Sequence, residues 1–229
     1  MNSTSLLSLL QLADPTLPIG GFSHSAGLET YVQYGIVHNR QTAEEFIVAQ
    51  LSQNIFYTDA AFVSFAFDAV KEGGIETILE LDEECNAVKL PKEMRQASQK
   101  LGMRLLKIFS LHCNNPLADD YRAKIEKGDA TGHYAIVFGL FASILRIPKK
   151  ETLTAFFYNA AVGMATNSVK LIPLGQQHGQ EMLFALQSLI ADLAEKSLLP
   201  DRSLIGLCCA GFDIRCMQHE QLYSRLYMS

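Results

Sequence analysis

The chain has 229 residues, nearly half of them apolar and about a fifth charged, with a formal charge of −5 at neutral pH. That balance suits a single globular domain with a substantial core and excludes a disordered chain. The basic residues are scattered instead of forming a stripe that would follow phosphates, so nucleic acid is not an expected partner.

Taken in chain order, the apolar spacing is helical almost throughout. The opening run Leu6-Leu7-Ser8-Leu9-Leu10 lacks the cationic start of a secretory leader, since the first Lys or Arg is Arg40. Residues 1–10 and 213–229 are expected to be mobile or partner-ordered ends of the domain. Pro15 and Pro18 mark a loop, and Gly20-Gly21 a tight turn feeding the helix that carries Leu28. Thr42-x-x-Glu45 reads as a capping box opening a helix with Ile47, Leu51 and Ile55 on one face. This helix is expected to run through Phe62 and Phe65 until Lys71-Glu72-Gly73-Gly74 stops it. A shorter charged helix follows over Thr77 to Glu84. Pro91 suits the first turn of the next, whose buried face is Leu101, Leu105 and Ile108, and Asn114-Asn115-Pro116 breaks it.

The segment from His133 to Leu145 is apolar nearly all round, which places Val137, Leu140, Phe141, Ile144 and Leu145 in the core. Two long helices, about 151–171 and 174–198, flank Pro173, the second lined by Leu183, Leu186, Ile190 and Leu193. The pattern predicts an all-α, single-domain bundle of about ten helices with no significant β-sheet. Its apolar helices exceed what one small bundle must bury, so a homodimer is expected.

Five cysteines, an odd number with Cys208 and Cys209 adjacent, do not form a disulfide framework and point to a reducing, cytoplasmic setting. The uncharged stretch Thr152 to Val169 approaches membrane-span length but is interrupted by Thr154, Asn159, Thr166 and Asn167, so no membrane span is expected.

Catalytic signals are thin. Gly21-Phe22-Ser23-His24-Ser25 nearly spells the nucleophile elbow G-x-S-x-G, but Ser25 replaces the last glycine and no strand precedes the serine. The six histidines never fall at i, i+3 or i+4, and C-x-x-C is missing. His219-Glu220 is half of H-E-x-x-H, with Tyr223 in the second histidine's place. Cys209, Cys216 and His219 would converge if helical, although small buried cysteines account for them equally. No catalytic residue, metal ligand or cofactor site is assigned.

The segment from Met217 to Ser229 sets His219, Glu220, Tyr223, Ser224 and Arg225 among large apolar residues. Tyr and Arg are common interface anchors, because each joins an apolar body to a directional polar tip. The competing reading is a last amphipathic helix folded on its own core through Leu222 and Leu226.

Four ordered motifs carry a resemblance that spans nearly the whole chain: Leu10 to Glu29, His133 to Pro148, Asn167 to Gln176, and His219-Glu220 with Tyr223-Ser224-Arg225-Leu226. Together they resemble the UreF family of urease accessory proteins, with Tyr227 where that family more often has Phe. The resemblance implies an all-α homodimer without a reaction of its own. It implies binding to the accessory protein UreD (also called UreH) and then to the GTPase UreG, during nickel delivery to apo-urease. It further implies that the closing segment orders when UreD binds, and that Lys170 and Arg225 face UreG. Two alternatives stay open: a nickel-binding carrier and a Ser23-dependent hydrolase.

Overall fold

A computed structural model describes residues 1–72, 74–207 and 209–229. Among them are eleven α-helices and no strand: α1 (Ser3–Leu12), α2 (Leu28–Gln33), α3 (Arg40–Ala49), α4 (Asp59–Glu72), α5 (Ile75–Val88), α6 (Lys92–Ser110), α7 (Pro116–Lys127), α8 (Tyr134–Ile144), α9 (Lys149–Leu171), α10 (Gln176–Lys196) and α11 (Ala210–His219). The fold is therefore all-α, with one helix more than expected.

The apolar segment forms α8, which packs against α4 and α6 while α9 pairs with α10. Val137, Leu140 and Phe141 are buried, whereas Ile144 and Leu145 are only half-buried because the helix ends there. Phe138 meets Phe156 edge-on at 5.1 Å, and Phe109 meets Phe141 at 5.3 Å. Burying each such ring is worth about 1.5–3 kcal/mol, so α8 is the element around which the others are assembled. Leu183, Leu186, Ile190 and Leu193 line the buried face of α10 as the periodicity predicts.

Local capping explains where the boundaries differ. The helix expected from Thr42 starts at Arg40, because Asn39 is the cap: its Oδ1 accepts from Thr42 N at 2.9 Å while Thr42 Oγ1 accepts from Asn39 N at 3.1 Å. The expected run into Phe65 is interrupted by a π-helical segment, Gln50–Ile55, and by Thr58, whose hydroxyl donates back to the Asn54 carbonyl and competes with the ladder. The stop predicted at Gly73 lies outside the described residues; α4 ends at Glu72 and Gly74 precedes α5. On α6 the buried face is Leu105, Leu106 and Phe109, with Leu101 and Ile108 half-buried at its margins. The break at Asn114-Asn115-Pro116 also starts a helix: Asn115 Oδ1 accepts from Leu117 N at 3.0 Å, and Pro116 occupies the first turn of α7.

Asp82 of α5 ties this half of the bundle together. Its buried carboxylate accepts from Tyr121 Oη at 2.8 Å, Thr131 Oγ1 at 2.8 Å, Gly132 N at 3.1 Å and His133 N at 3.0 Å. With Thr131 N donating as well, the loop entering α8 is fixed by a buried carboxylate that five donors satisfy. His133 rests against Ser98 Oγ at 3.1 Å, and its pKa is lowered to about 4, chiefly by burial.

Candidate functional site: the glycine loop and the docked closing segment

The loop from Pro15 to Gly27 and the segment after α11 meet on one face. Asp14 accepts both Thr16 N and Thr16 Oγ1 at 2.7 Å, closing a turn around Pro15, and Ile19 N bonds back to the Leu17 carbonyl across Pro18. Gly20 then takes φ +89°, and a Cβ there would lie 1.9 Å from the Arg104 guanidinium, which donates to the Ile19 carbonyl at 2.9 Å. Gly20 is therefore the position that needs glycine, while Gly21 has open space and ordinary backbone. Gly27 (φ +80°), which the sequence reading did not single out, abuts Cys216 and Phe212 of α11.

The closing segment is irregular, a turn followed by bends, not helical. Helix α11 ends at His219, and from Leu226 onward residues alternate outward and inward, with Leu226 and Met228 exposed and Tyr227 and Ser229 buried. Its anchor is Glu29 of α2, a buried carboxylate that accepts from Leu226 N at 2.7 Å and Tyr227 N at 3.1 Å. Met228 N donates to the Ser23 carbonyl at 2.8 Å, and Ser25 donates through N and Oγ to the Ser229 carbonyl at 2.5 and 2.8 Å. His24 Nδ1 lies 2.7 Å from Ser229 Oγ, and Asn167 of α9 holds the His24 carbonyl at 2.9 Å.

His219 sits between two acids, with Nε2 3.0 Å from Glu29 and Nδ1 2.7 Å from Glu93 of α6. Arg225 completes the chain by donating to the other oxygen of Glu93 at 2.6 Å. Two carboxylates, one imidazole and one guanidinium thereby join α2, α6, α11 and the closing segment.

Of the residues singled out by sequence, the fold brings His219, Arg225 and the Gly20 loop to this face, with Glu220, Tyr223 and Ser224 exposed between them. Tyr223 is fully exposed, and Leu226 is 69% exposed. Lys170, in the last turn of α9, joins the face by placing Nζ 5.7 Å over the ring of Phe22. Sequence reasoning missed Glu29 and Glu93.

Ser23 is not presented as a nucleophile. It lies in a short 3-10 turn, and its hydroxyl donates to the Gly20 carbonyl at 2.8 Å, while the adjacent His24 faces Ser229 instead. Cys216 is buried and both nitrogens of His219 face carboxylates, so the triad of Cys209, Cys216 and His219 does not converge on a shared centre. Among the described residues no three His, Cys, Asp or Glu side chains are arranged to hold a metal ion, and no helix is long and apolar enough to cross a membrane.

Fold and site define an all-helical protein that displays apolar and cationic side chains from a segment whose backbone is pinned. The chain belongs to the UreF family, whose pattern matches residues 37–187. It is similar to the urease accessory protein UreF of Actinobacillus pleuropneumoniae serotype 5b (strain L20), with 50% identity over 97% of this chain and 98% of that protein. It is also similar to the urease accessory protein UreF of Haemophilus influenzae (strain PittEE), with 49% identity over 99% of this chain and 96% of that protein. The same description belongs to a relative in Lachnoclostridium phytofermentans, 35% identical over 98% of both chains. The protein accordingly acts in urease maturation.

Proposed function

We propose that the protein is a non-catalytic, cytoplasmic scaffold that works as a homodimer and binds UreD (UreH) and the GTPase UreG on apo-urease for nickel insertion. The observation that carries this reading is the closing segment itself. Its backbone is held by Glu29, Ser23 and Ser25 while Tyr223, Leu226 and Met228 point outward. Large apolar side chains fixed in place at the surface lose little entropy on docking, which favours an interface over a flexible terminus. The leucines of α1 offer a second such face, with Leu7 66% and Leu10 59% exposed. In this reading both ends of the chain are completed by partners.

Lys170 and Arg225 supply cations toward UreG, and a GTPase offers acidic switch surfaces and phosphates that fixed cations complement. His219 and Glu220 belong to the same partner-binding end of the chain, His219 by positioning Arg225 through Glu93. The test is co-purification of the full chain with UreD and UreG. Tyr223→Ala combined with Leu226→Ala leaves every backbone bond to Glu29 available, yet is expected to lose UreD and active urease. Capture of UreD at the unmutated level would overturn the assignment.

A further inference from the structure

The chain is acidic overall, but α6 carries five cations, Lys92, Arg95, Lys100, Arg104 and Lys107, against the single carboxylate of Glu93. Lys100, Arg104 and Lys107 stand at i, i+4 and i+7, one face of the helix, and all three are exposed. Glu93 begins the same stripe one turn-pair earlier, where His219 and Arg225 already engage both of its oxygens. Among the described residues Lys100, Lys107 and Lys170 have no carboxylate within ion-pair reach, and Arg104 donates only to a backbone carbonyl. Cations scattered along the sequence are thus gathered into one uncompensated field.

The stripe is continuous with the site. Lys100 and Arg225 line the same surface groove beside His24, Leu226 and Met228. Across the Gly20 loop, which Arg104 touches, lies Phe22 with Lys170 above it. Lys100 and Arg104 act on the intervening His24 strongly enough to support its lowered pKa, burial being the larger cause.

We infer that Lys100, Arg104 and Lys107 of α6 form a docking surface for an acidic face of a folded protein partner, extending the cationic patch of Lys170 and Arg225. The apolar side chains of this face decide the class of partner. Exposed Phe22, Leu226 and Met228 interleave with the cations, the mixture of a protein interface; a phosphate backbone would leave them against charge. The identity of that partner as UreG rests on the scaffold reading above.

The test is Lys100→Glu with Lys107→Glu, two side chains with no structural bond to lose, in the full chain with UreD present. Binding to purified UreG is followed at 50 and 300 mM salt, with Lys170→Ala and a Lys100→Arg, Lys107→Arg variant alongside. Charge reversal at an interface rim acts mainly on association, so the on-rate at low salt should fall about tenfold, the gap narrowing at high salt. The arginine variant should bind normally, and thermal midpoint and UreD capture should not move. An unchanged UreG on-rate, while Lys170→Ala weakens binding, sinks the stripe and leaves the scaffold reading standing. Failure of the unmutated chain to bind UreG overturns both. Loss of UreD alone, or a DNA duplex bound tightly by the unmutated chain and lost on reversal, assigns the surface to another class of partner and overturns the inference.

Discussion

Replacing Glu29 by alanine should release the closing segment without unfolding the bundle. The carboxylate is 3% exposed and accepts from Leu226 N, Tyr227 N and His219. A hydrogen bond to a charged acceptor contributes about 1.5–3 kcal/mol, but water can solvate freed amides at the surface, so a net loss of about 3 kcal/mol in docking is the reasonable figure. At about 1.4 kcal/mol per decade this is roughly a hundredfold shift toward the undocked state. Backbone amide exchange over 221–229 should accelerate by about that factor, with exchange in α8 and the far-ultraviolet circular dichroism unaltered. Glu29→Gln keeps one acceptor oxygen and should shift exchange by about tenfold. Unchanged protection of Leu226 and Tyr227 would refute the anchor, and a cooperative loss reaching α8 would show that Glu29 belongs to the global fold instead.

Four other substitutions follow from the same structure. The hydroxyl of Tyr227 is buried without a hydrogen-bond partner among the described residues, so Tyr227→Phe should raise stability by about 1 kcal/mol in denaturant unfolding; a lower midpoint would contradict this. His133 has a folded pKa lowered to about 4 from 6.5, chiefly by burial, so the unfolded chain binds the extra proton between those values. Its contribution, about 3 kcal/mol, is therefore present above pH 6.5 and lost as pH falls toward 4, and His133→Gln should flatten the dependence of stability on pH across that window. Gly27→Ala combines a positive φ with a Cβ 2.8 Å from Cys216 Sγ and should cost about 1–3 kcal/mol, whereas Ser23→Ala loses one turn bond and should leave urease maturation near normal. Loss of maturation by a folded Ser23→Ala protein would revive the nucleophile.

What was legible in the sequence follows the range of the forces involved. Helix periodicity is a local signal, so α8, α9 and α10, the buried face of α10 and most of that of α8 could be read directly. Caps are local too, but Asn39 and Thr42 form a reciprocal pair in which either could be taken as the cap, and the start moved by two residues accordingly. The helix α7 was overlooked because its polar face dominates its composition and only Ala118 and Tyr121 are buried. The site was half legible: the composition after Met217 drew attention to the closing segment, and Lys170 entered only through family resemblance. Glu29 and Glu93 could not be found by spacing, since they meet His219 across 190 and 126 residues and nothing local distinguishes them from solvated helix acids. The α6 stripe was missed, because along the sequence its cations read as scattered, and its i, i+4, i+7 spacing gains a meaning only when Glu93 is neutralised by Arg225, 132 positions away.

That neutralisation makes Arg225 ambiguous in a way that one mutation does not resolve. Its guanidinium donates to Glu93 at 2.6 Å and is 38% exposed, so Arg225→Ala could lose UreG by removing a partner contact or by loosening the segment that displays Tyr223 and Leu226. Glu93→Gln separates the two. It removes the charge that holds Arg225 while leaving the Arg225 side chain present, and Glu29 still anchors Leu226 and Tyr227. If Arg225 contacts UreG directly, freeing it should leave UreG binding within about threefold and add one more uncompensated cation to the α6 face. If Arg225 acts only by positioning the segment, Glu93→Gln should reproduce the loss seen with Arg225→Ala, and the double variant should be no worse than either single one. Pull-down of UreG with the two single variants and the double variant, with UreD capture as the control for a docked segment, decides between contact and positioning. Equal loss in all three would end the assignment of Arg225 as a UreG contact.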